Sequence, residues 1–456
     1  MGYSESPVPQ GGRGRGPIRP LVARLKGSDT GIAAVLAGSM IMTNVVALVT
    51  TIAFGRLLGV KGYGELAAIL STFIILSVPG AALQVATARE GALGHLGEGR
   101  QFATTLARWT ASLAALTAGV GVVSILLRSR LADLIGVKQE WAAAAVAPAA
   151  CVWILLSIQR GALQATRAYM TVGLSMIAEQ TARLLLGAGL AFAGWDVTGA
   201  YLGTPLAMVA TSIILGVLLS RRLGAKDPDR TGRGLRRLAM DAWAAIAGLA
   251  LIASLQNIDV IVAQHRLGGK QAGTYAAAAV AAKVVVWVAI GIGFYLLPEA
   301  ARKHDANEDA RPVLFKALAM TGIVAAPCLL IYAFVPELLL KLAFGPKYAG
   351  GAQALLELGA AMALLSICYL AVQLLLALKE TRFLIGLALV AAAEPIALQL
   401  LPGGGTINGF ATTVLIIQAV AAPMALFFAY RASAPRRDSE AAGSSTVQTP
   451  NRAAST

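Results

Sequence analysis

Residues 276–294 read AAAAVAAKVVVWVAIGIGF, and the only charge among these nineteen positions is Lys283, close to the centre. In water such a run would be an ordinary buried helix. About twenty apolar residues also suffice to cross a bilayer core, and there a central cation raises the question of what makes it tolerable. The rest of the chain decides between the two readings. Of 456 residues, 57% are hydrophobic and only 13% charged, with a mean hydropathy of +0.70. Soluble domains carry about a quarter charged residues. This composition excludes a soluble protein and predicts an all-α polytopic membrane protein.

Twelve spans are predicted, at about 31–54, 65–87, 102–127, 141–163, 169–193, 197–219, 239–263, 272–297, 314–335, 352–377, 383–401 and 406–429. The first reads as a span rather than a removed signal peptide, because no small-residue cleavage site follows it. The 48 glycines suit close helix approach in lipid. The tails, 1–30 and 431–456, are rich in Gly, Pro, Ser and Arg and read as disordered.

The net charge of +15 fits membrane topology better than nucleic-acid binding. With both termini cytoplasmic, and basic residues near a span's inner end assigned to that face, 27 of the 38 Lys and Arg lie inside and nine outside. Arg183 and Lys283 remain within spans. The stretch RRLGAKDPDRTGRGLRR (221–237) alone carries seven. This asymmetry satisfies the positive-inside rule and predicts a multi-pass plasma-membrane protein with an N-lobe at 31–220, a basic linker at 221–238 and a C-lobe at 239–430.

An internal repeat supports the two lobes. RLLGVKGYGELAA (56–68) aligns with HRLGGKQAGTYAA (265–277) at an offset of 209 residues, matching Leu58, Gly59, Lys61, Gly64, Ala67 and Ala68 to Leu267, Gly268, Lys270, Gly273, Ala276 and Ala277. The same offset pairs Gly136 and Lys138 with Gly345 and Lys347. Six spans per unit make the halves parallel, related by an axis along the membrane normal. A cleft between two such lobes suits alternating access.

FGRLLGVKGYGELAA (54–68), IDVIVAQHRLGGKQAGTYAAAA (258–279) and ELLLKLAFGPKYAGGAQALLELGAA (337–361) resemble the polysaccharide-biosynthesis flippases. These are the O-antigen and exopolysaccharide members of the multidrug/oligosaccharidyl-lipid/polysaccharide exporter superfamily. The resemblance covers roughly 31–430. It implies a two-lobed bundle of twelve or fourteen spans that flips a polyprenyl-diphosphate-linked oligosaccharide from the inner to the outer leaflet. It further implies a cavity lined by spans one, two, seven and eight whose cations meet the diphosphate, which is consistent with Lys283 on span eight. Membrane lipid, a glycan polymerase and glycosyltransferases are the partners implied. Lipid II flippases carry arginines in span one, whereas this chain has none between Gly31 and Phe54, which argues against a peptidoglycan precursor.

A charge at mid-membrane costs on the order of 3 kcal/mol on insertion scales, so it faces protein or water. Lys283 is either a cleft-facing cation or half of a buried ion pair. Glu179 and Arg183, four apart, share a helix face and can neutralise each other; alternatively Arg183 takes a phosphate bidentately. Glu394 is an unpaired acid, either a partner for Lys283 or a protonation site. Gln256, Asn257 and Asp259 offer donors and acceptors to sugar hydroxyls or to neighbouring helices. Arg56, Arg89, Arg108 and Glu357 lie near span ends and read as interfacial anchors. Asn44 reads as packing.

Other motifs carry less. DRTGR (229–233) resembles a major-facilitator loop but lies between the wrong spans. DPD (227–229) sits among basic residues without a nucleotide fold, and LPGGGT (401–406) lacks the Lys-Ser/Thr of a phosphate loop. His95, His265 and His304 have no metal spacing, and Cys151, Cys328 and Cys368 are scattered through apolar stretches. No cofactor, metal or catalytic group is expected. The rival readings are a multidrug-and-toxin-extrusion-type ion-coupled exporter, a membrane enzyme of glycan assembly, and a scaffold. No outer loop is long enough for a soluble catalytic domain, and the mid-span cations favour an anionic cargo.

Overall fold

The computed structural model describes residues 29–97, 99–224, 234–306, 308–401 and 405–434. The DPD and DRTGR motifs, the middle of the 401–406 turn, the His304 side chain, and residues 1–28 and 435–456 of the two tails lie outside the described residues. Everything described is helix, turn or short connection, as lipid demands. Hydrocarbon offers no partner to backbone N–H and C=O groups, so each span must satisfy its own.

Among the described residues, nine helices are long and apolar enough to cross a membrane. Two of them, Gly38–Ala92 and Tyr169–Leu223, are 55 residues long and hold two crossings each. The shorter apolar helix Phe383–Gln399 completes the expected twelve. Asp29–Ala92 contains spans one and two. At 1.5 Å per residue it would measure about 96 Å if straight, roughly three bilayer cores. Gly59 prevents this: its φ of 67° and ψ of 178° lie in a region that only glycine adopts readily, and the chain doubles back. Span three is Arg100–Leu126, four Glu140–Ala165, five Tyr169–Leu190 and six Asp196–Leu223. Span seven is Trp243–Arg266, and eight is split into Gly269–Ala282 and Val284–Asp305 on either side of Lys283. Arg311–Phe334, Ala352–Ala377, Phe383–Gln399 and Ile407–Ala432 are spans nine to twelve.

The repeat is written into the backbone. Gly268, equivalent to Gly59, has φ 61° and ψ 162°. Gly136 and Gly345 have φ 78° and 109°. They follow two short helices, Arg128–Ile135 and Pro336–Ala343, which occupy equivalent places after spans three and nine. The fold is thus two six-helix lobes built on one plan.

Each lobe has its own apolar core. One gathers residues between Phe54 and Leu238, the other residues between Ile252 and Ala429, and the second also takes in Val60, Tyr63 and Ala67. Leu238, on the short helix Leu235–Asp241, packs into the first core, so the end of the linker region is anchored on the N-lobe.

Val60, Tyr63 and Ala67 show where the lobes meet: at the end of the bundle carrying the 1–2 and 7–8 connections, hereafter the far end. There Tyr63 packs on Phe344 and Tyr348, with ring centroids 5.4 and 6.0 Å away. The Tyr348 hydroxyl donates to the Gly55 carbonyl across the boundary at 2.6 Å. Gly64 and Gly273, equivalent in the repeat, bring the backbones together: a Cβ on Gly273 would stand 1.8 Å from the Val60 oxygen, and one on Gly64 2.9 Å from the Gly273 nitrogen. Towards the other end, Val284–Asp305 packs on spans nine and ten instead. The described lobe contact closes the far end.

Gly273→Ala is therefore expected to destabilise the protein by about 1–3 kcal/mol through overpacking, more than Gly64→Ala. Gly322→Ala, where a Cβ meets nothing within 4 Å, should be neutral or stabilising. Thermal unfolding of the three purified variants in detergent would show this order, and equal midpoints would contradict it.

Candidate functional site

Among the described residues, the charged side chains buried well inside the spans gather into two separate clusters, one per lobe, while Glu65, buried at the start of span two, accepts from Gln139 instead. In the N-lobe, Glu179 on span five lies between two guanidinium groups. Arg160 Nη2 donates to Glu179 Oε2 at 2.6 Å, and Arg183 Nη2 donates to Oε1. Arg160 also donates from Nε to the Ser175 hydroxyl at 3.1 Å and from Nη2 to the Ser175 carbonyl at 3.2 Å. Both guanidiniums approach Trp153, at 5.8 and 5.7 Å from the ring centroid, a distance at which the ring face attracts a cation. Span two presses on the same indole, since a Cβ on Gly80 would come within 2.6 Å of it.

Arg160 and Glu179 are both 2% exposed, while the Arg183 side chain keeps 17%. Two guanidiniums against one carboxylate leave a surplus positive charge. Arg183 is the most exposed member, although its Nε is buried without a hydrogen-bond partner.

In the C-lobe, Lys283 stands where span eight breaks and is 6% exposed. Its ammonium donates to the Asn257 side-chain oxygen at 2.9 Å, so its direct partner is a neutral amide. Asp259 and Glu394 are the acids whose charges act on it through space. Asp259 accepts from the Tyr275 hydroxyl at 2.7 Å, and Asn257 Nδ2 donates to the Ala253 carbonyl at 2.8 Å. Asp259 Oδ1 and both Glu394 oxygens are buried without a hydrogen-bond partner. Gln418 on span twelve bonds the Leu255 carbonyl at 3.0 Å. Gln256, expected to act with Asn257 and Asp259, is only partly buried and stands apart from this network.

The structure therefore joins Lys283 with Asn257, Asp259 and Glu394, and Glu179 with Arg183, but it does not bring all seven residues into one chamber. Asn257 and Asp259 are engaged within their own lobe. Arg160 was missed by sequence reasoning. Near the inner end of the expected span 141–163 it reads as one more cytoplasmic-side basic residue, but Ser175 and Glu179 on span five and the Trp153 ring turn it into the protein, where it is buried. Tyr275 and Gln418 gave no sequence signal distinct from helix packing. Of the presumed anchors, Glu357 accepts from the Thr412 hydroxyl at 2.7 Å, and Arg56 reaches the opposite lobe.

The architecture and the polar clusters inside the spans define a multi-pass membrane protein with a transporter fold. An inward-facing multidrug resistance MATE family transporter of the MOP superfamily superposes with a TM-score of 0.70 at 16% identity, over 89% of this chain and 99% of that one. The lipid II flippase MurJ, in an inward closed conformation, gives 0.70 at 12% identity over 86% and 87%. An outward-facing MATE family transporter gives 0.63 at 17% over 90% and 97%. No curated protein matches the chain. The sequence model of the polysaccharide biosynthesis protein family matches residues 32–304, more than half of the chain, which belongs to that family.

Removing one partner of a buried ion pair typically costs about 3–5 kcal/mol, because the other charge is stranded. Glu179→Gln should show a loss of that order in denaturant unfolding, with Arg160→Met/Glu179→Gln recovering part of it. Lys283→Met should likewise be partly rescued by Glu394→Gln. Additive losses in both pairs would mean that the clusters are not coupled.

Proposed function

We propose that the chain moves a polyprenyl-diphosphate-linked oligosaccharide from the inner to the outer leaflet of the plasma membrane, for cell-surface polysaccharide synthesis. The lobes at 31–220 and 239–430 are the moving units of an alternating-access cycle, both termini are cytoplasmic, and the far end faces outward. The observation that carries this reading is the surplus guanidinium of the N-lobe cluster. A carrier of cationic drugs has no use for a net positive group in its interior, whereas a diphosphate does. Membership of the polysaccharide biosynthesis family and the mid-span depth of Arg183 support it.

On this reading Arg183 receives the diphosphate, Arg160 holds Glu179 so that Arg183 is not fully neutralised, and Gln256 is the span-seven side chain free to meet sugar. Lys283 organises the C-lobe acids. Glu394, with its carboxylate unpaired, is where a gradient of protons or other cations couples to the cycle. The buried acids of the C-lobe are also the specific feature that favours the second reading, an ion-coupled exporter of small molecules.

Proteoliposomes loaded with a polyprenyl-diphosphate oligosaccharide separate the two. Wild-type protein is expected to make the glycan accessible to an impermeant lectin. Arg183→Ala should slow this at least tenfold, a loss of about 1.4 kcal/mol or more in transition-state stabilisation, while Arg183→Lys should retain part of the rate. Expulsion of a cationic dye with no movement of the lipid-linked glycan would overturn the proposal.

A further inference from the structure

The far-end contact contains a pair of polar bonds that obey the internal repeat. Arg56, at the end of span one, crosses to the C-lobe, where its Nε donates to the Ala343 carbonyl at 3.2 Å and its Nη2 to the Leu342 carbonyl. Those carbonyls close the short helix Pro336–Ala343. At the offset of 209 residues Arg56 corresponds to His265, and Ala343 to Leu134. His265, on span seven, crosses the other way: its Nε2 lies 2.8 Å from the Leu134 carbonyl, near the end of the short helix Arg128–Ile135. A carbonyl only accepts, so Nε2 carries the hydrogen. The imidazole lies over the backbone of Gly136, where a Cβ would come within 2.9 Å of the ring.

The last carbonyls of a helix have no partner within it, and they form the negative end of its dipole. A basic side chain is their natural cap. Here each cap is supplied by the opposite lobe, twice over, at symmetric positions. Both residues are exposed, so water can replace either bond when it breaks, which makes it a weak, releasable link. The Gly64–Gly273 approach, by contrast, is a steric fit with no direction of its own. We propose that Arg56 and His265 are paired gate residues: reciprocal caps that hold the far end shut and release together when the lobes part. They position the lobes and touch neither buried cluster. The inference rests on the alternating-access reading and is independent of the cargo.

The test uses Ala67, which is 6% exposed beneath the lobe contact. Ala67→Cys is introduced into full-length protein whose Cys151, Cys328 and Cys368 are replaced by alanine. Sealed vesicles are then treated with a membrane-impermeant maleimide on the far side. Labelling should be slow in this parent and roughly five- to tenfold faster in Arg56→Ala/His265→Ala, as expected for losing two weak bonds, with each single variant between. The exchange Arg56→His/His265→Arg keeps a donor at both caps and should label at the parent rate, which separates lost capping from misfolding. Labelling of the double alanine variant at the parent rate would overturn the proposal, and so would labelling of the exchange variant as fast as the double alanine. Labelling needs no substrate, so a failed latch and a wrong cargo give different results.

Discussion

Hydrocarbon offers a charged side chain nothing to bind, and the internal architecture of this protein follows from that constraint. An ionised group within a span must face protein or water, and most of those among the described residues have a protein partner. Glu179 takes two guanidiniums, Lys283 takes the Asn257 amide, and Asp259 takes the Tyr275 hydroxyl. All of these partners lie within one lobe. Electrostatics therefore ties each lobe together internally and leaves the boundary between lobes, among the described residues, to apolar packing of spans one and two on spans seven and eight, close glycine backbones, a few aromatic rings and exposed caps. A boundary of that kind can open without stranding a buried charge.

The break in span eight belongs to the same logic. Val286 and Trp287 N–H groups both reach the Lys283 carbonyl, and the helix resumes there as Val284–Asp305. Gly269–Ala282 stays against the N-lobe while Val284–Asp305 leans on spans nine and ten. Lys283 thus lies at the break, with its amine bonded to Asn257 of span seven. The C-lobe cluster is thereby attached to the junction between a half-span packed on the helix of spans one and two and one packed on spans nine and ten.

Fold class, span number and duplication were legible from the sequence because they rest on strong local signals. Runs of some twenty apolar residues admit few alternatives in a bilayer, and a glycine that must adopt positive φ, such as Gly59 or Gly268, leaves a mark at the same register in both copies. The site was legible only in part. Glu179 and Arg183 could be paired because four residues of helix bring them together. Arg160 and Glu179 are nineteen residues apart on different helices, and no local pattern links them. Lys283 was placed in the right span, but which way its amine turns depends on Asn257, a contact set by helix packing. Arg56 looked like an anchor because a basic residue at a span end has that role whenever no helix terminus lies opposite it.

The two halves have also diverged unevenly, and the pattern of divergence separates the contact between the lobes from the buried clusters within them. Hinge glycines, short helices and capping residues are repeated at one offset. The charges are not: Lys283 corresponds to Ile74, Arg183 to Ala392, Glu179 to Ala388, Glu394 to Leu185 and Asp259 to Thr50. A gate between pseudo-symmetric lobes works best when both sides carry the same fittings, because the motion that releases one cap releases the other. The cargo proposed above places the opposite requirement on its site, since only one part of such an amphiphile is charged. The N-lobe triad sets two guanidiniums against one carboxylate, whereas the C-lobe cluster sets one ammonium against two carboxyl groups. On the proposed reading the two lobes thus offer an anionic headgroup unlike walls, and the surplus guanidinium of the N-lobe is what favours it there.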